Sequence, residues 1–150
     1  EQVYQTLKSE IRNPKSETNS KFQIPNSKRR LICVLGAAGG GRDKWKRPEF
    51  GRIASEYCDE IILTDEDPYD ENPLSILKEI ESGFSSSEIR STKSEIILDR
   101  REAIKKALTD AQEGDTVIIT GNGSETSMAV AGGKKILWSD KDVVREFLNK

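Results

Sequence analysis

The chain has 150 residues, enough for one domain with a hydrophobic core and too few for two domains of ordinary size. Its 24 basic and 26 acidic residues nearly cancel, which gives no general electrostatic reason to bind nucleic acid. No apolar run approaches the roughly 18 residues that cross a membrane, and nothing resembles a signal peptide. We therefore expect a cytoplasmic protein whose partners include neither nucleic acid nor a membrane.

The histidine and cysteine content narrows the possible chemistry. Histidine is absent, which excludes Ser-His-Asp and Cys-His catalysis and removes the commonest zinc ligand. The two cysteines, Cys33 and Cys58, belong to no CxxC pair, so we interpret both as core residues rather than ligands. We expect no metal site, and any chemistry must use carboxylates, lysine, arginine or backbone groups.

The first 30 residues differ in character from the rest. Val3 and Leu7 have helical spacing and predict an opening helix over residues 1–10. Residues 12–30 are polar and contain two prolines, which predicts a surface loop or an insertion. We therefore divide the chain into residues 1–30, continuing from something upstream, and a domain over residues 31–150.

Apolar runs and helical patterns alternate over residues 31–150. The predicted strands are Leu31–Leu35, Glu60–Thr64, Glu95–Leu98, Thr116–Thr120 and an edge strand Lys134–Trp138. The predicted helices begin near Pro48, after Asn72, after Asp99, and after a cap at Ser139 or Asp140. This alternation predicts an α/β fold with a doubly wound, mostly parallel, Rossmann-like sheet.

Two of these helices have a predicted buried face. In the first, the apolar residues recur at Phe50, Ile53, Ala54 and Tyr57. The second presents Leu74, Leu77 and Ile80 and stops at Gly83.

Three loops follow the carboxyl ends of predicted parallel strands: residues 36–47, 64–72 and 120–126. Ligands of open α/β sheets bind at that edge, so we expect the loops to converge on a binding site. Residues 36–41 have the GxxxxG frame of a P-loop, but Arg42 and Asp43 replace the Lys and Ser or Thr that phosphate and magnesium require. The GxGxxG dinucleotide fingerprint is also absent. A glycine-rich connection with solvated charges is the alternative interpretation of this loop.

The side chains of these loops suit an amino acid. Arg42 is a planar fork that matches a carboxylate, and three acidic side chains can accept hydrogen bonds from an ammonium group: Glu66, Asp67 and Glu125. The backbone N–H groups of Gly121 and Gly123 can bind a second carboxylate oxygen or a phosphate. The alternative is that the acidic residues are ordinary solvated surface residues.

Five motifs occur in order: GGGRDKWKRP, ILTDEDP, DRREAI, GDTVIITGNGSE and WSDKDVVREFL. With this series the chain resembles the carboxyl-terminal domain of the Mur ligases, in the branch that adds the third residue of the peptidoglycan stem peptide. The resemblance covers about residues 31–148 and the opening helix. Several ordered motifs over that length are far more specific than any one of them.

The resemblance implies a function for the whole enzyme. In such ligases ATP, with magnesium, activates the carboxylate of UDP-MurNAc-dipeptide as an acyl phosphate, and the amine of a free amino acid attacks it. The family binds ATP and the uridine nucleotide in upstream ATPase and uridine-nucleotide domains. This chain is then expected to supply the amino-acid pocket, with no catalytic residue of its own and no ligation activity alone.

The resemblance also assigns roles to residues. Arg42 takes the place of the arginine that grips the carboxylate of the incoming amino acid, and Gly121 and Glu125 match the glycine and glutamate at its far end. The family's Asp-Asn-Pro-Arg specificity segment falls on Glu66, Asp67, Pro68 and Tyr69. The supporting residues are Asp43, Lys46, Arg47 and Gly123.

Two departures from the family pattern bear on specificity. Gly41 replaces an aspartate, which is expected to change the shape of the loop, and Tyr69 replaces the arginine that binds the second carboxylate of diaminopimelate. A tyrosine cannot form that fork, so we predict a mono-carboxylate diamino acid such as lysine or ornithine, with Lys46 or Arg47 as alternative cations. Two rival interpretations are a nucleotide-binding α/β module and a non-enzymatic partner-binding domain.

Overall fold

The computed structural model describes residues 29–41, 43–84 and 92–149. The predicted opening helix, nearly all of the polar stretch after it, Arg42 and most of the loop before Lys93 lie outside these residues. None of the helices in the described part of the chain combines the length and apolar character needed to cross a bilayer.

A four-stranded, all-parallel sheet forms the centre of the domain, with the order β3-β2-β1-β4. Its strands are β1 (Leu31–Leu35), β2 (Glu60–Leu63), β3 (Lys93–Ile96) and β4 (Thr116–Ile119). The helices are α1 (Lys46–Tyr57), α2 (Pro73–Glu81), α3 (Arg100–Asp110) and α4 (Asp140–Leu148). A separate antiparallel hairpin consists of β5 (Ser127–Val130) and β6 (Lys134–Leu137).

Alternate side chains of the central strands enter two hydrophobic cores on opposite faces of the sheet. On β1, Cys33 packs with residues of α1 and α2, whereas Ile32 and Val34 pack with residues of α3 and α4. This is the two-residue period of a strand that is buried on both sides. The α/β class and the parallel, doubly wound arrangement are thereby confirmed.

The strand order places a topological switch between β1 and β4. The chain runs outward from β1 to β2 and β3, and then returns to the other side of β1 as β4. The loops that follow β1 and β4 therefore diverge to opposite faces and leave a crevice at the carboxyl ends of these strands.

Several predicted elements differ in the structure. The third strand is Lys93–Ile96, two residues earlier than predicted, and it is largely exposed because it forms the edge of the sheet. β5 was not predicted. Within the described ranges β6 pairs with β5 and with no strand of the main sheet, so its prediction as an edge strand of that sheet was wrong. Gly132 and Gly133, both at positive φ, form the hairpin turn.

The buried face of α1 also differs from its apolar pattern. Its buried residues are Arg47, Gly51 and Ala54, whereas Phe50 is 41% exposed. A Cβ atom at Gly51 would overlap the carbonyl oxygen of Ile80, so the missing side chain allows α1 and α2 to approach closely. This close approach, rather than the apolar periodicity, sets the rotation of the helix.

The predicted caps are largely confirmed. The side chains of Asn72, Asp99 and Ser139 each accept a hydrogen bond from a backbone N–H three residues later. In α2 the buried residues are Ile76, Leu77 and Ile80, whereas Leu74 is 44% exposed because it lies in the first turn, facing away from the core.

Cys33 and Cys58 are both buried core residues, as predicted, and they also form a disulfide that sequence analysis missed. Cys33 lies in β1 and Cys58 caps the carboxyl end of α1. The disulfide thus closes the segment that contains the glycine-rich loop.

Candidate functional site

A cavity of about 550 Å³ opens at the switch between β1 and β4. Residues from the end of β1, the start of α1, the loop after β2 and the end of β4 form its walls. They are Leu35, Gly36, Ala37, Ala38, Asp43, Lys46, Arg47, Phe50, Ile53, Glu66, Thr120 and Gly121. The three loops that were predicted to converge therefore all contribute to one cavity.

The first two loops are joined through glycines. Gly39 donates its N–H to the carbonyl of Asp67 (2.9 Å), and a Cβ atom at Gly39 would overlap the carbonyl of Pro68. At Gly36 a Cβ atom would overlap the backbone carbonyl oxygen of Thr64 and would lie 2.9 Å from the Cβ of Glu66. Glycine is required at both positions because the backbones of the two loops touch there.

Glu71 and Arg47 link the loop after β1 to the loop after β2. The guanidinium of Arg47 is 1% exposed and donates to Glu71 (3.1 Å), Glu79 (2.9 Å) and the carbonyl of Ala38 (3.0 Å). Glu71 also accepts from the N–H of Gly41 (2.6 Å), and the hydrogen bonds from Arg47 and Gly41 contribute to lowering the pKa of Glu71 to about 2. Both terminal nitrogens of Arg47 are thus bound to protein acceptors, whereas its buried Nε has no hydrogen-bond partner among the described residues. The suggestion that Arg47 reaches a ligand stays a prediction.

Lys46 and Asp43 form an exposed pair at the mouth of the cavity. The Lys46 ammonium lies 2.7 Å from Asp43 Oδ2 and 5.5 Å from the centre of the Trp45 ring. Asp43 has a left-handed backbone with φ 47°, a conformation that ordinary residues rarely adopt. Both residues line the cavity, and their charges compensate each other. Their supporting role in ligand binding stays a prediction.

Glu66 carries the main titratable group of the cavity wall. It is half-buried, and burial raises its pKa to about 7, while Arg100 opposes the shift and neighbouring carboxylates add to it. Its carboxylate lies against Gly121, where a Cβ atom would overlap Oε2 of Glu66. A cation that enters the cavity would gain a carboxylate acceptor, and its charge would favour the ionised form of Glu66.

Asp67 and Tyr69 connect the acidic loop to the β5–β6 hairpin, and neither they nor Pro68 line the cavity. Asp67 Oδ1 accepts from the N–H of Ala129 (2.7 Å), and Tyr69 donates its N–H to the carbonyl of the same residue (3.5 Å). Asp67 (φ 40°) and Tyr69 (φ 51°) both have left-handed backbones. Strained backbone of this kind occurs most often at functional sites.

The loop after β4 contributes the remaining predicted residues. Gly121 (φ 115°) and Gly123 (φ 60°) have backbones that favour glycine, and Glu125 is exposed and donates its N–H to the carbonyl of Asn122. Asn122 is buried and donates from Nδ2 to the carbonyl of Ser127 (2.9 Å). Of these residues only Gly121 reaches the cavity wall.

Sequence analysis missed Arg100, which lies directly beneath this site. The side chain is 3% exposed and pairs with Asp140, and it also reaches the carbonyls of Asp65 and Thr120. In the sequence, Arg100 belongs to the motif DRREAI, which indicated only the start of a helix and one part of the family resemblance. A buried arginine 35 residues from one partner and 40 from another leaves no local spacing pattern in the sequence.

The predicted site residues therefore fall into two groups. Asp43, Lys46, Arg47, Glu66 and Gly121 line the cavity. Asp67, Pro68, Tyr69, Gly123 and Glu125 lie in the same loops without lining it, and Arg42 lies outside the described residues. The ligand contacts assigned to these residues stay predictions.

Comparisons with known proteins agree with this architecture. Residues 18–123 match the family described as "Mur ligase, glutamate ligase domain". Two relatives are named "UDP-N-acetylmuramoyl-L-alanyl-D-glutamate--2,6-diaminopimelate ligase". The one from Nitrosomonas europaea is 40% identical over 139 residues, which are 93% of this chain and 25% of the relative. The one from Aquifex aeolicus is 47% identical over 122 residues, which are 81% of this chain and 24% of the relative.

A solved structure of a protein with the same name has a TM-score of 0.76 and 30% sequence identity to this chain. It covers 98% of this chain, which in turn covers 26% of that protein. The chain thus spans about a quarter of the length of the relatives it matches. Together, the matched region, the parallel sheet and the loops at its switch point place the chain in the Mur ligase family, as its carboxyl-terminal domain.

Proposed function

We propose that this chain is the amino-acid-binding domain of an ATP-dependent ligase that joins a diamino acid to UDP-MurNAc-dipeptide in peptidoglycan synthesis in the cytoplasm. The observation that carries the proposal is the cavity at the β1–β4 switch, with the carboxylate of Glu66 set against the backbone of Gly121. The chain itself binds and orients the amino acid. The remaining domains that the family resemblance implies lie upstream.

The cavity has the chemistry that a diamino acid requires. Leu35, Ala37, Phe50 and Ile53 provide an apolar wall for the methylene chain. Glu66 provides an acceptor for the distal ammonium group, and its ionised form is stabilised when that cation arrives. Arg42, by its position in the family motif, binds the α-carboxylate.

We further propose lysine or ornithine rather than diaminopimelate as the amino acid, although the named relatives are diaminopimelate ligases. Tyr69 stands where the family arginine would bind the second carboxylate. The two alternative cations are already engaged, because Arg47 is buried among two glutamates and Lys46 pairs with Asp43. A second carboxylate would also lie near Glu66, which adds repulsion once Glu66 is ionised.

The glycine-rich loop does not fit a nucleotide phosphate. The N–H of Gly39 is donated to Asp67 and that of Gly41 to Glu71, so these amides face protein acceptors instead of an open cradle. Glu71 would also repel a phosphate at this position. We therefore assign ATP and its magnesium to the upstream domains, where ATP supplies the activation of the dipeptide carboxylate, and we do not favour the nucleotide-binding module as an alternative.

Within this scheme the residues of the chain contribute by proximity. The pocket would hold the α-amine of the amino acid at the mouth of the cleft, and closure of the domain would bring that amine to the activated carboxylate. The structural residues Arg47 and Glu71 keep the two loops rigid, so the amine is presented in one orientation.

The test is phosphate release by the full-length protein with ATP and UDP-MurNAc-dipeptide, with lysine, ornithine and diaminopimelate compared in parallel. We expect turnover that depends on a mono-carboxylate diamino acid, with a raised KM for that amino acid in Glu66→Gln and loss of turnover in Arg42→Ala. Preference for diaminopimelate would contradict the specificity proposal alone. A folded protein that releases no phosphate with any amino acid would contradict the ligase function.

A further inference from the structure

Arg100 binds three separate segments of the chain with one guanidinium group. Nε and Nη2 donate to the two carboxylate oxygens of Asp140 (2.8 and 2.7 Å) at the start of α4. Nη2 also donates to the carbonyl of Thr120 (2.9 Å), and Nη1 donates to the carbonyl of Asp65 (3.2 Å). Trp138 donates from Nε1 to Asp140 Oδ1 (2.8 Å), so Asp140 is itself held in place.

The two carbonyls that Arg100 binds belong to the residues immediately before Glu66 and Gly121. These are the two residues whose contact forms the polar wall of the cavity. The guanidinium therefore bridges the end of β4 and the loop after β2 at the point where both enter the cavity. Any change in its length or planarity would change the distance between the Glu66 carboxylate and the Gly121 backbone.

The contacts require arginine rather than a general cation. Three nitrogen atoms in one plane reach a bidentate carboxylate on one side and two carbonyls on the other. A lysine can keep the ion pair with Asp140 but cannot present donors in this fixed fork. Arg100 itself does not line the cavity.

We propose that Arg100 is a positioning residue that sets the spacing of Glu66 and Gly121, and through it the affinity and selectivity of the pocket for the side chain of the amino acid. This inference rests on the proposed function and deepens it. Arg100 contacts no substrate. It acts through the two backbone segments that it fixes, and its positive charge near Glu66 is retained in a lysine variant.

The test compares Arg100→Lys with a matched variant, Arg30→Lys, in the full-length enzyme. Arg30 likewise pairs with an aspartate, Asp115 (2.7 Å), and with a backbone carbonyl, that of Asp110 (2.6 Å). It precedes β1 and so lies at the opposite, amino-terminal end of the sheet. Both substitutions remove comparable bonds, but only Arg100→Lys changes the cavity wall.

We expect Arg100→Lys to raise the KM for the amino acid about tenfold, the scale of one lost charge-assisted hydrogen bond. The KM values for ATP and UDP-MurNAc-dipeptide should stay unchanged. The kcat/KM values for lysine, ornithine and diaminopimelate should become more similar to one another. Both variants should have a lower melting temperature, with a smaller decrease for Arg30→Lys because its side chain is 32% exposed, against 2% for Arg100. Arg30→Lys should leave the KM for the amino acid unchanged. If Arg100→Lys does not fold, Asp140→Glu, which keeps the charge but displaces the carboxylate that holds the guanidinium, should give the same pattern.

An unchanged amino-acid KM and preference in a folded Arg100→Lys variant would overturn the positioning role and leave the ligase function intact. Equal effects of Arg100→Lys and Arg30→Lys on all three KM values would overturn it as well, since they would indicate a general loss of stability. A wild-type protein without turnover would instead contradict the proposed function, and the positioning role with it.

Discussion

The carboxylate of Glu66 occupies the space that a side chain at residue 121 would need, so Gly121 is a glycine because of Glu66. The two residues come from the ends of different strands, β2 and β4, which are not neighbours in the sheet. Their contact closes the polar end of the cavity. The burial of Glu66 raises its pKa. In the cavity wall its carboxylate lies beside the backbone of Gly121.

Gly121→Ala should disrupt this contact. The new Cβ would overlap Glu66 Oε2, and φ 115° strains any side chain, so we expect a loss of about 2 kcal/mol or more in the free energy of unfolding. The KM for the amino acid should rise because Glu66 is displaced. Urea denaturation and steady-state kinetics on the full-length enzyme measure the two effects.

Gly132→Ala is the matched control for that substitution. Gly132 also has a positive φ (73°), but no heavy atom lies within 4 Å of the Cβ that would be added. Only backbone strain of about 1 kcal/mol should result, with no change in KM. Equal kinetic defects in both variants would show that strain, not the contact with Glu66, is responsible.

The raised pKa of Glu66 predicts a pH dependence of stability. The folded pKa is about 7 and the ordinary value is 4.5, so between these values the folded state keeps a proton that the unfolded chain has released. Stability should therefore fall as pH rises from 4.5 to 7, by about 3 kcal/mol from this one group, and level off above pH 7. Glu66→Gln should remove that slope in urea denaturation curves measured across this range. An identical slope in the variant would assign it to other groups.

Arg47→Ala should be strongly destabilising. It removes a buried cation from two glutamates and a backbone carbonyl, for which we expect a loss of about 3–5 kcal/mol in the free energy of unfolding. The pKa of Glu71, now about 2, should rise toward its ordinary value of 4.5 because its largest stabilising contact is lost. Chemical denaturation and an NMR titration of the Glu71 carboxyl measure the two quantities.

A second arginine of the same helix provides the comparison. Arg52 pairs with Glu49 and Glu56 on the exposed side of α1, so Arg52→Ala should cost less than about 1 kcal/mol. A similar cost for both substitutions would contradict the structural role given to Arg47.

The disulfide predicts a dependence on reductant. Cys33 and Cys58 enclose a segment with a sequence separation of 25, and the double variant Cys33→Ala/Cys58→Ala should lose about 3 kcal/mol of stability. Both cysteines are buried, so a reductant would reach their sulfurs only when the core opens. Thiol titration after unfolding without reductant should find neither cysteine reactive. Two reactive thiols would contradict the disulfide.

The sequence could predict the two central strands, β1 and β2, because each is a short apolar run bounded by turn residues. Leu31–Leu35 matches β1 at both ends. The hairpin was missed because the residues of β5, Ser-Met-Ala-Val, have no alternating pattern that separates them from the preceding loop. Its partner β6 then had no visible neighbour and was assigned to the main sheet.

The candidate site could be predicted only where the chemistry is local. The convergence of three loops follows from the order of parallel strands, which the alternation of elements indicates. The contacts of Arg47 and Arg100 could not be predicted, because their carboxylate partners lie 24 to 40 residues away and become neighbours only in the fold. The sequence around an arginine that follows a glycine-rich loop is the same whether the arginine binds a ligand or pairs with two glutamates.

The central claim is that these loops select the side chain of the incoming amino acid, and Tyr69→Arg in the full-length enzyme tests it most directly. The measurement is the ratio of kcat/KM for diaminopimelate to kcat/KM for lysine, before and after the substitution. Because an arginine fork can bind the second carboxylate, we predict a rise of about tenfold or more in this ratio. An unchanged ratio in a folded, active variant would contradict the claim that the loop carrying Tyr69 reads the amino acid.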